Sequence, residues 1–216
     1  MNHPVAELEA LFSDPAAAAR RACEARARAF GRTIWVRSAP PRDDVSIAII
    51  RDDTPDKSTT CLDPPVPGDM SSTPGWLDVA SLRSGDRLVL RVEHHQLSAY
   101  CAWLVRAAAV PTAWALAPWC PTAGGLFRLH LIAAARLALP AHVRVEARHD
   151  LHGVRLAQVA LGFGADTLSG PIDIGRHLPL AGVPRPSETT QAALFELVRQ
   201  AGLEATTHAH AERTAP

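Results

Sequence analysis

Groups that could bind a metal or a polar small molecule follow several predicted strands of this chain. Imidazole, thiolate and carboxylate side chains are the usual zinc ligands of proteins, and they also hydrogen-bond polar ligands. In parallel βα folds such sites collect where the strands end, at their carboxyl ends. The side chains at these positions are Glu93, His94, His95, Trp119, Cys120, Glu146, His149, Asp150, His152 and Asp166.

Three interpretations of these residues remain open: a small-molecule pocket, a metal site, and histidines on the rim of a sheet. A metal site would use His94, His95, Cys120 and His149, although His149-x-x-His152 lacks the helical HExxH context. We predict a ligand pocket with no metal and no cofactor. Its predicted binding residues are His94, His95, Trp119, Arg136, Glu146, His149 and Asp166.

Arg136 lies in a mostly apolar predicted helix, which allows two interpretations. It is either a surface arginine or a buried one paired with a carboxylate such as Asp166, and we favour the pair. Trp119 lies beyond the end of a strand, where it either stacks on a flat ligand or packs in the core. Gly162, Gly164 and Gly170 predict a tight helix-to-strand turn and a close backbone approach.

Strands alternating with amphipathic helices must position these side chains. This alternation predicts an α/β fold with parallel strands and crossover helices. An eight-stranded barrel typically needs about 250 residues, and this chain has 216 residues. We therefore predict a shortened or partial (βα) barrel. The predicted strands are 33–37, 45–51, 87–92, 112–117, 142–147 and 165–168, and the predicted helices are 14–30, 96–109, 125–139 and 151–163, with a last helix capped by Ser187 and stopped by Gly202.

The chain is predicted to form a single domain over residues 1–216. Residues 52–75 are rich in proline, aspartate and serine and predict a long irregular loop, whereas 206–216 predict a flexible tail. The charge is balanced, with 22 basic and 22 acidic residues, so composition does not favour nucleic acid. No targeting segment or membrane span is evident, which predicts a cytoplasmic protein that does not bind membranes.

The segment Leu126–Ile172 carries an ordered run of motifs. It contains IAAARL at 132–137, Gly153, LAQVAL at 156–161 and FGAD at 163–166. These resemble the end of the radical S-adenosylmethionine (radical SAM) barrel in aminofutalosine synthase, cyclic dehypoxanthinyl futalosine synthase and the deazaflavin (F420) synthase subunits. With weaker likeness at Ala113–Pro118, Ala181–Val183 and Leu197–Gly202, the resemblance covers roughly residues 97–205.

The motif that supplies the chemistry of that family is missing. The family places CxxxCxxC after its first barrel strand to hold a [4Fe–4S] cluster. Here residues 38–44 read SAPPRDD, and the cysteines Cys23, Cys61, Cys101 and Cys120 are widely spaced. They are interpreted as four reduced thiols, with a shared metal or cluster site as the alternative.

The resemblance implies a cluster-less relative of menaquinone-biosynthesis enzymes. We expect a non-catalytic protein that binds a small molecule, with a second copy of itself or a menaquinone-pathway enzyme as its partner. The alternative is an active enzyme with an atypical iron–sulfur or zinc site. A third hypothesis is a structural module whose open sheet edge docks on another chain.

Overall fold

The computed structural model describes residues 5–39, 47–50, 60–61, 78–172 and 190–207. Short 3-10 turns lie at Leu11–Ser13, Val79–Ser81, His94–Gln96 and Leu161–Phe163. The helices are α1 Val5–Ala10, α2 Pro15–Phe30, α3 Leu97–Ala107, α4 Gly125–Ala138, α5 His149–His152, α6 Val154–Ala160 and α7 Gln191–Gln200. The strands are β1 Thr33–Ser38, β2 Ile47–Ile50, β3 Thr60–Cys61, β4 Arg87–Arg91, β5 Ala115–Trp119, β6 Arg144–Arg148, β7 Thr167–Gly170 and β8 Glu204–Thr206.

Helix α2 has the ends that its sequence predicts. The Asp14 carboxylate accepts a hydrogen bond from the Ala17 N–H at 3.0 Å, and Pro15 occupies the first turn, where its missing N–H has no cost. Gly31 ends the helix with a φ of 59°, in the left-handed region that glycine adopts without steric penalty. The helix leads directly into β1.

The eight strands form one sheet in the order β3-β2-β4-β5-β6-β7-β1-β8. Six neighbouring strands of this order are parallel, with helices between them, as predicted: β4, β5, β6, β7, β1 and β8. The α/β fold is consistent with a partial barrel. Two features differ from the prediction: β2 and β3 add antiparallel pairs at one edge, and β1 lies between β7 and β8.

The sheet curves strongly, and one side chain demonstrates it. Arg87 on β4 donates to the Ser38 carbonyl on β1 at 3.1 Å, although β5, β6 and β7 lie between those two strands. Neighbouring strands are about 4.8 Å apart, so four steps across a flat sheet exceed the reach of an arginine. The sheet therefore has a concave inner face, which Arg87 spans.

The convex outer face of the sheet packs against the helices. Every second strand residue points to this side, and these residues are apolar: Ile34, Val36, Leu88, Leu90, Leu116, Val145, Ala147 and Leu168. They form one core with helical residues such as Trp103, Leu131 and Ile132, all almost fully buried. The alternate positions face the inner side and carry most of the polar strand residues, including Arg87, Glu146 and Ser169.

Several predicted boundaries are corrected. The predicted helix 151–163 is divided at Gly153, which has a φ of 80° and separates α5 from α6. The N-cap of α7 is Thr190, whose hydroxyl accepts from Ala193 N–H, whereas the predicted cap Ser187 lies outside the described residues. Residues Thr60–Cys61 form β3 inside the predicted loop 52–75, and Thr206, assigned to the tail, ends β8. Within the described part of the chain, no helix has the length and apolar character needed to cross a membrane.

Candidate functional site

The predicted binding residues do not converge on one pocket. His94 and His95 follow β4, but both are exposed. The His94 ring stacks on Phe127 of α4 with ring centroids 3.9 Å apart, so this histidine belongs to the helix layer. Sequence spacing places residues at the end of a strand, but it does not determine to which side of the sheet the following turn directs them.

Arg136 and Asp166 form the buried pair that the sequence favours. Arg136 Nη1 donates to Asp166 Oδ2 at 2.9 Å, and both side chains are almost inaccessible. The predicted placement in a ligand pocket at the carboxyl ends of the strands is wrong. Asp166 precedes β7 and accepts from the Val145 N–H at the start of β6, which is the opposite, N-terminal edge of the sheet. The pair therefore holds α4 to that edge.

The carboxyl ends of β5 and β6 bring together a different group of side chains. Trp119, the last residue of β5, packs on the inner face with Val89, Ala117 and Leu151. Leu151 lies in α5 between His149 and His152, so the indole borders the helix that carries both imidazoles. We call Trp119, His149, Leu151 and His152 the C-terminal cluster.

Gly170 at the end of β7 makes room for His149. A Cβ atom added to Gly170 would lie 2.5 Å from His149 Nε2 and 2.7 Å from two ring carbons. Gly170 also has a φ of 144°, which side-chain-bearing residues rarely adopt. The glycine confirms the predicted close approach and fixes the imidazole against the β7 backbone. Gly164 plays the same part for Arg136, whose Cγ would lie 2.8 Å from an added Cβ.

Four polar atoms of the C-terminal cluster are buried without hydrogen-bond partners among the described residues. They are Trp119 Nε1, His149 Nε2 and the two ring nitrogens of His152. Most buried polar atoms in proteins are hydrogen-bonded, because an unsatisfied one costs about 1–3 kcal/mol. A neutral imidazole nitrogen can donate or accept, and an indole N–H donates only. The cluster therefore has unused hydrogen-bonding capacity.

Burial keeps both histidines of the cluster uncharged near neutral pH. Desolvation lowers the pKa of His149, and the neighbouring Arg148 lowers it further against the opposing effect of Asp150. For His152, desolvation and Arg128 lower the pKa to about 4, with the carbonyl of Pro118 partly opposing them. The cluster therefore presents neutral hydrogen-bonding groups rather than cations.

The pKa of His152 predicts a loss of stability in acid. The unfolded imidazole titrates near 6.5 and the folded one at about 4. Between these values the unfolded chain binds a proton that the folded chain does not, so stability is complete above pH 6.5 and falls as the pH drops towards 4. At about 1.4 kcal/mol per pH unit, the burial of His152 lowers the free energy of unfolding by roughly 3 kcal/mol between pH 6.5 and pH 4.

His152→Gln should flatten this dependence in urea denaturation at pH 7, 5.5 and 4.5. His149 retains part of the slope, because its pKa is also lowered. His95→Gln, at an exposed position, is the matched control and should behave as the wild type. An unchanged slope in His152→Gln would show that the burial of this imidazole does not govern the acid sensitivity.

Glu146 faces the interior of the curved sheet, where it bonds to protein rather than facing a pocket. Its two oxygens accept from Arg87 Nε and Nη2, both at 2.9 Å, and Ser169 Oγ donates to Oε2 at 2.8 Å. Although burial opposes ionisation, these partners together hold the pKa of Glu146 at about 2. Arg87 and Ser169 are not among the binding residues predicted from the sequence. The available signal was the alternation of polar and apolar residues along β4, β6 and β7.

The alternative metal sites have no support in the described part of the chain. In residues 5–39, 78–172 and 190–207, no three His, Cys, Asp or Glu side chains are placed to hold a metal ion. The Cys120 thiol lies 3.6 Å from Glu93 Oε2 and from Thr122 Oγ1. Burial raises the pKa of Cys101 to about 12, which disfavours the thiolate that a metal needs. The proposed set of His94, His95, Cys120 and His149 is therefore not assembled.

Comparison with known proteins leaves the site geometry as the basis for function. No protein-family model matches the chain, and no curated protein matches it. The radical SAM likeness of residues 97–205 thus rests on the motifs quoted above.

Proposed function

We propose that this protein is a radical SAM-like binding protein without an iron–sulfur cluster. It holds a small molecule at the side chains of its C-terminal cluster. The observation that carries the proposal is that buried polar atoms of the cluster, among them Trp119 Nε1 and His149 Nε2, are unsatisfied. Water or a ligand normally completes the hydrogen bonds of such atoms. Their position at the carboxyl ends of β5 and β6 is where ligands bind in parallel βα folds.

The side chains of the cluster favour a particular kind of ligand. Trp119, Leu151 and Val89 form an apolar group on the inner face. The indole N–H requires an acceptor, and the neutral imidazole of His149 accepts or donates. A ligand with an unsaturated ring and at least one carbonyl or hydroxyl oxygen satisfies these requirements. The resemblance to menaquinone-pathway enzymes suggests aminofutalosine and dehypoxanthinyl futalosine as probes.

The positions of the cysteines, which would have to hold an iron–sulfur cluster, support a non-catalytic role. Radical SAM chemistry needs three thiolates on one loop, and the segment after β1 contains no cysteine. Cys23, Cys101 and Cys120 lie on α2, on α3 and after β5, and they form no metal-binding group within the described residues. The binding role therefore does not require the chain to generate a radical.

Calorimetric titration of the two probes tests the binding proposal. Trp119→Phe keeps the flat ring but removes the N–H, and we expect it to weaken binding by about tenfold, the usual effect of losing one hydrogen bond. His149→Leu should weaken binding similarly. His95→Gln is the matched control and should bind as the wild type. The proposal fails if neither probe binds, or if binding is unchanged in both cluster variants.

Anaerobic reconstitution with iron and sulfide tests the non-catalytic part separately. We expect no charge-transfer absorbance and no stoichiometric iron in the full-length chain. A stable cluster would overturn the non-catalytic role, and Cys61, Cys101 and Cys120 would then be the residues to replace. This result would leave the binding titrations to be judged independently.

A further inference from the structure

A cavity lies on the inner face of the sheet, at the edge opposite the C-terminal cluster. Its volume is about 340 Å³. The residues that line it include Arg37, Asp86, Arg87, Ala115 and Arg144. We call this cavity the N-terminal mouth, because Arg87, Ala115 and Arg144 are the first residues of β4, β5 and β6.

The strand register explains the space in the N-terminal mouth. Arg87 pairs with Ala115, and Ala115 pairs with Arg144, so the three residues form one row across three strands. Side chains in such a row point to the same face of a sheet. The small alanine therefore leaves a gap between two arginines.

Of the two arginines in this row, Arg144 is the one whose positive charge is less well balanced by carboxylates of the described residues. Its guanidinium lies over the Trp35 ring at 3.5 Å and the Phe30 ring at 4.4 Å from the centroids. The nearest carboxylate oxygen, Asp166 Oδ1, is 3.8 Å from Arg144 Nη1, and Asp166 already binds Arg136 at 2.9 Å. One carboxylate thus serves two guanidinium groups.

The N-terminal mouth holds an unsatisfied donor. Arg144 Nη1 is buried and has no hydrogen-bond partner among the described residues. The Trp114 indole packs against Trp103 in the helix layer and does not face the mouth. Asp86 contributes a carboxylate, whose Oδ2 accepts from the Arg83 N–H. Arg87 is compensated by Glu146, and Arg37 adds a further guanidinium to the lining.

We propose that the N-terminal mouth binds a small oxyanion, such as inorganic phosphate or the phosphate group of a metabolite. Oxyanions accept several hydrogen bonds, and arginine is the side chain best suited to bind them. The bound anion would accept from Arg144 Nη1 and would supply the negative charge that Asp166 cannot give to both arginines. This site is independent of the binding function proposed for the C-terminal cluster.

Titration of the full-length chain with inorganic phosphate tests the proposal, read by calorimetry and by the midpoint of thermal unfolding. The wild type should show saturable binding at constant ionic strength. Arg144→Gln should weaken it at least about tenfold, because one charge-assisted contact is lost. Ala115→Val fills the gap without changing charge and should weaken binding as well.

Two controls separate this site from other effects. Arg106→Gln removes an exposed arginine of α3 and should bind phosphate as the wild type. Trp119→Phe, which affects only the C-terminal cluster, should also leave phosphate binding unchanged. Phosphate stabilises many proteins by exclusion from their surface, but that effect does not saturate. A non-saturating rise that is equal in the wild type and Arg144→Gln would overturn the proposal, as would the absence of binding.

Discussion

Arg136→Met is expected to lower the free energy of unfolding by about 3–5 kcal/mol, the usual cost of breaking a buried ion pair from one side. Arg136 donates to Asp166 and also to the carbonyl oxygens of Leu139 and Pro140, at 2.9 and 3.0 Å. Methionine fills similar space but donates nothing. The Asp166 carboxylate would then be fully buried with Arg144 as its remaining cation, 3.8 Å away.

The charge component of this loss should depend on pH. Burial raises the pKa of Asp166 above 3.8, and Arg136 is the strongest opposing influence, so its removal should raise that pKa further. A carboxyl group with a raised pKa in the fold stabilises the protein at low pH and loses this contribution as the pH rises through the folded value. The penalty of Arg136→Met should therefore be larger at pH 7 than at pH 4.5 in urea denaturation.

Three further variants isolate the ion pair. Arg106→Met removes an exposed arginine and should cost less than about 0.5 kcal/mol. Arg136→Lys should recover only part of the loss, because an ammonium cannot reproduce the forked contacts of guanidinium. Adding Asp166→Asn to Arg136→Met should restore stability at pH 7. A cost below about 1 kcal/mol for Arg136→Met would show that the pair does not hold α4 to the sheet.

Glu146→Gln is expected to lower the free energy of unfolding by about 3 kcal/mol, because it also breaks a buried ion pair from one side. This ion pair lies on the inner face of the sheet. The bidentate contact between Arg87 and Glu146 joins β4 to β6 across β5, and both side chains are about 3% exposed. An amide has almost the same shape, but only one of its two terminal atoms can accept from the guanidinium. The buried charge of Arg87 would then lose its carboxylate.

A double-mutant cycle with Arg87→Leu and Glu146→Leu tests this interpretation. The double variant should be more stable than Glu146→Leu alone, since it leaves no buried charge without its partner. Acid provides a second test. The pKa of Glu146 is about 2 in the folded chain and 4.5 in the unfolded chain. The stabilising effect of Glu146 is therefore present above pH 4.5 and is lost as the pH falls towards 2. The difference between wild type and Glu146→Gln should shrink over that range, and a constant difference would contradict the assignment.

The sequence predicted the features that depend on a few neighbouring residues. Helix α2 begins and ends as predicted, because Asp14, Pro15 and Gly31 act on the adjacent backbone. The α/β fold with parallel strands followed from the alternation of strand and helix patterns. The buried pairing of Arg136 with Asp166 was also predicted, since an arginine in an apolar helix needs a carboxylate.

Other features required the tertiary structure. Arg87 and Glu146 are 59 residues apart in the chain, and their contact depends on β4 and β6 flanking β5 in the sheet. Neither the position of β1 between β7 and β8 nor the antiparallel pairing of β2 could be read from local patterns. The predicted pocket was divided because His94 turns to the helix layer while Asp166 lies at the opposite edge.

The sequence by itself therefore determined the fold class, most of the longer elements and several of the chemically capable residues. The tertiary structure alone decided which of those residues meet. Hydrophobic periodicity and capping act within a few residues and leave a direct trace in the sequence. Strand register, sheet curvature and the direction of a turn result from many distant contacts acting together. For this reason Trp119 and His149 became a candidate site, whereas His94, His95 and Asp166 did not.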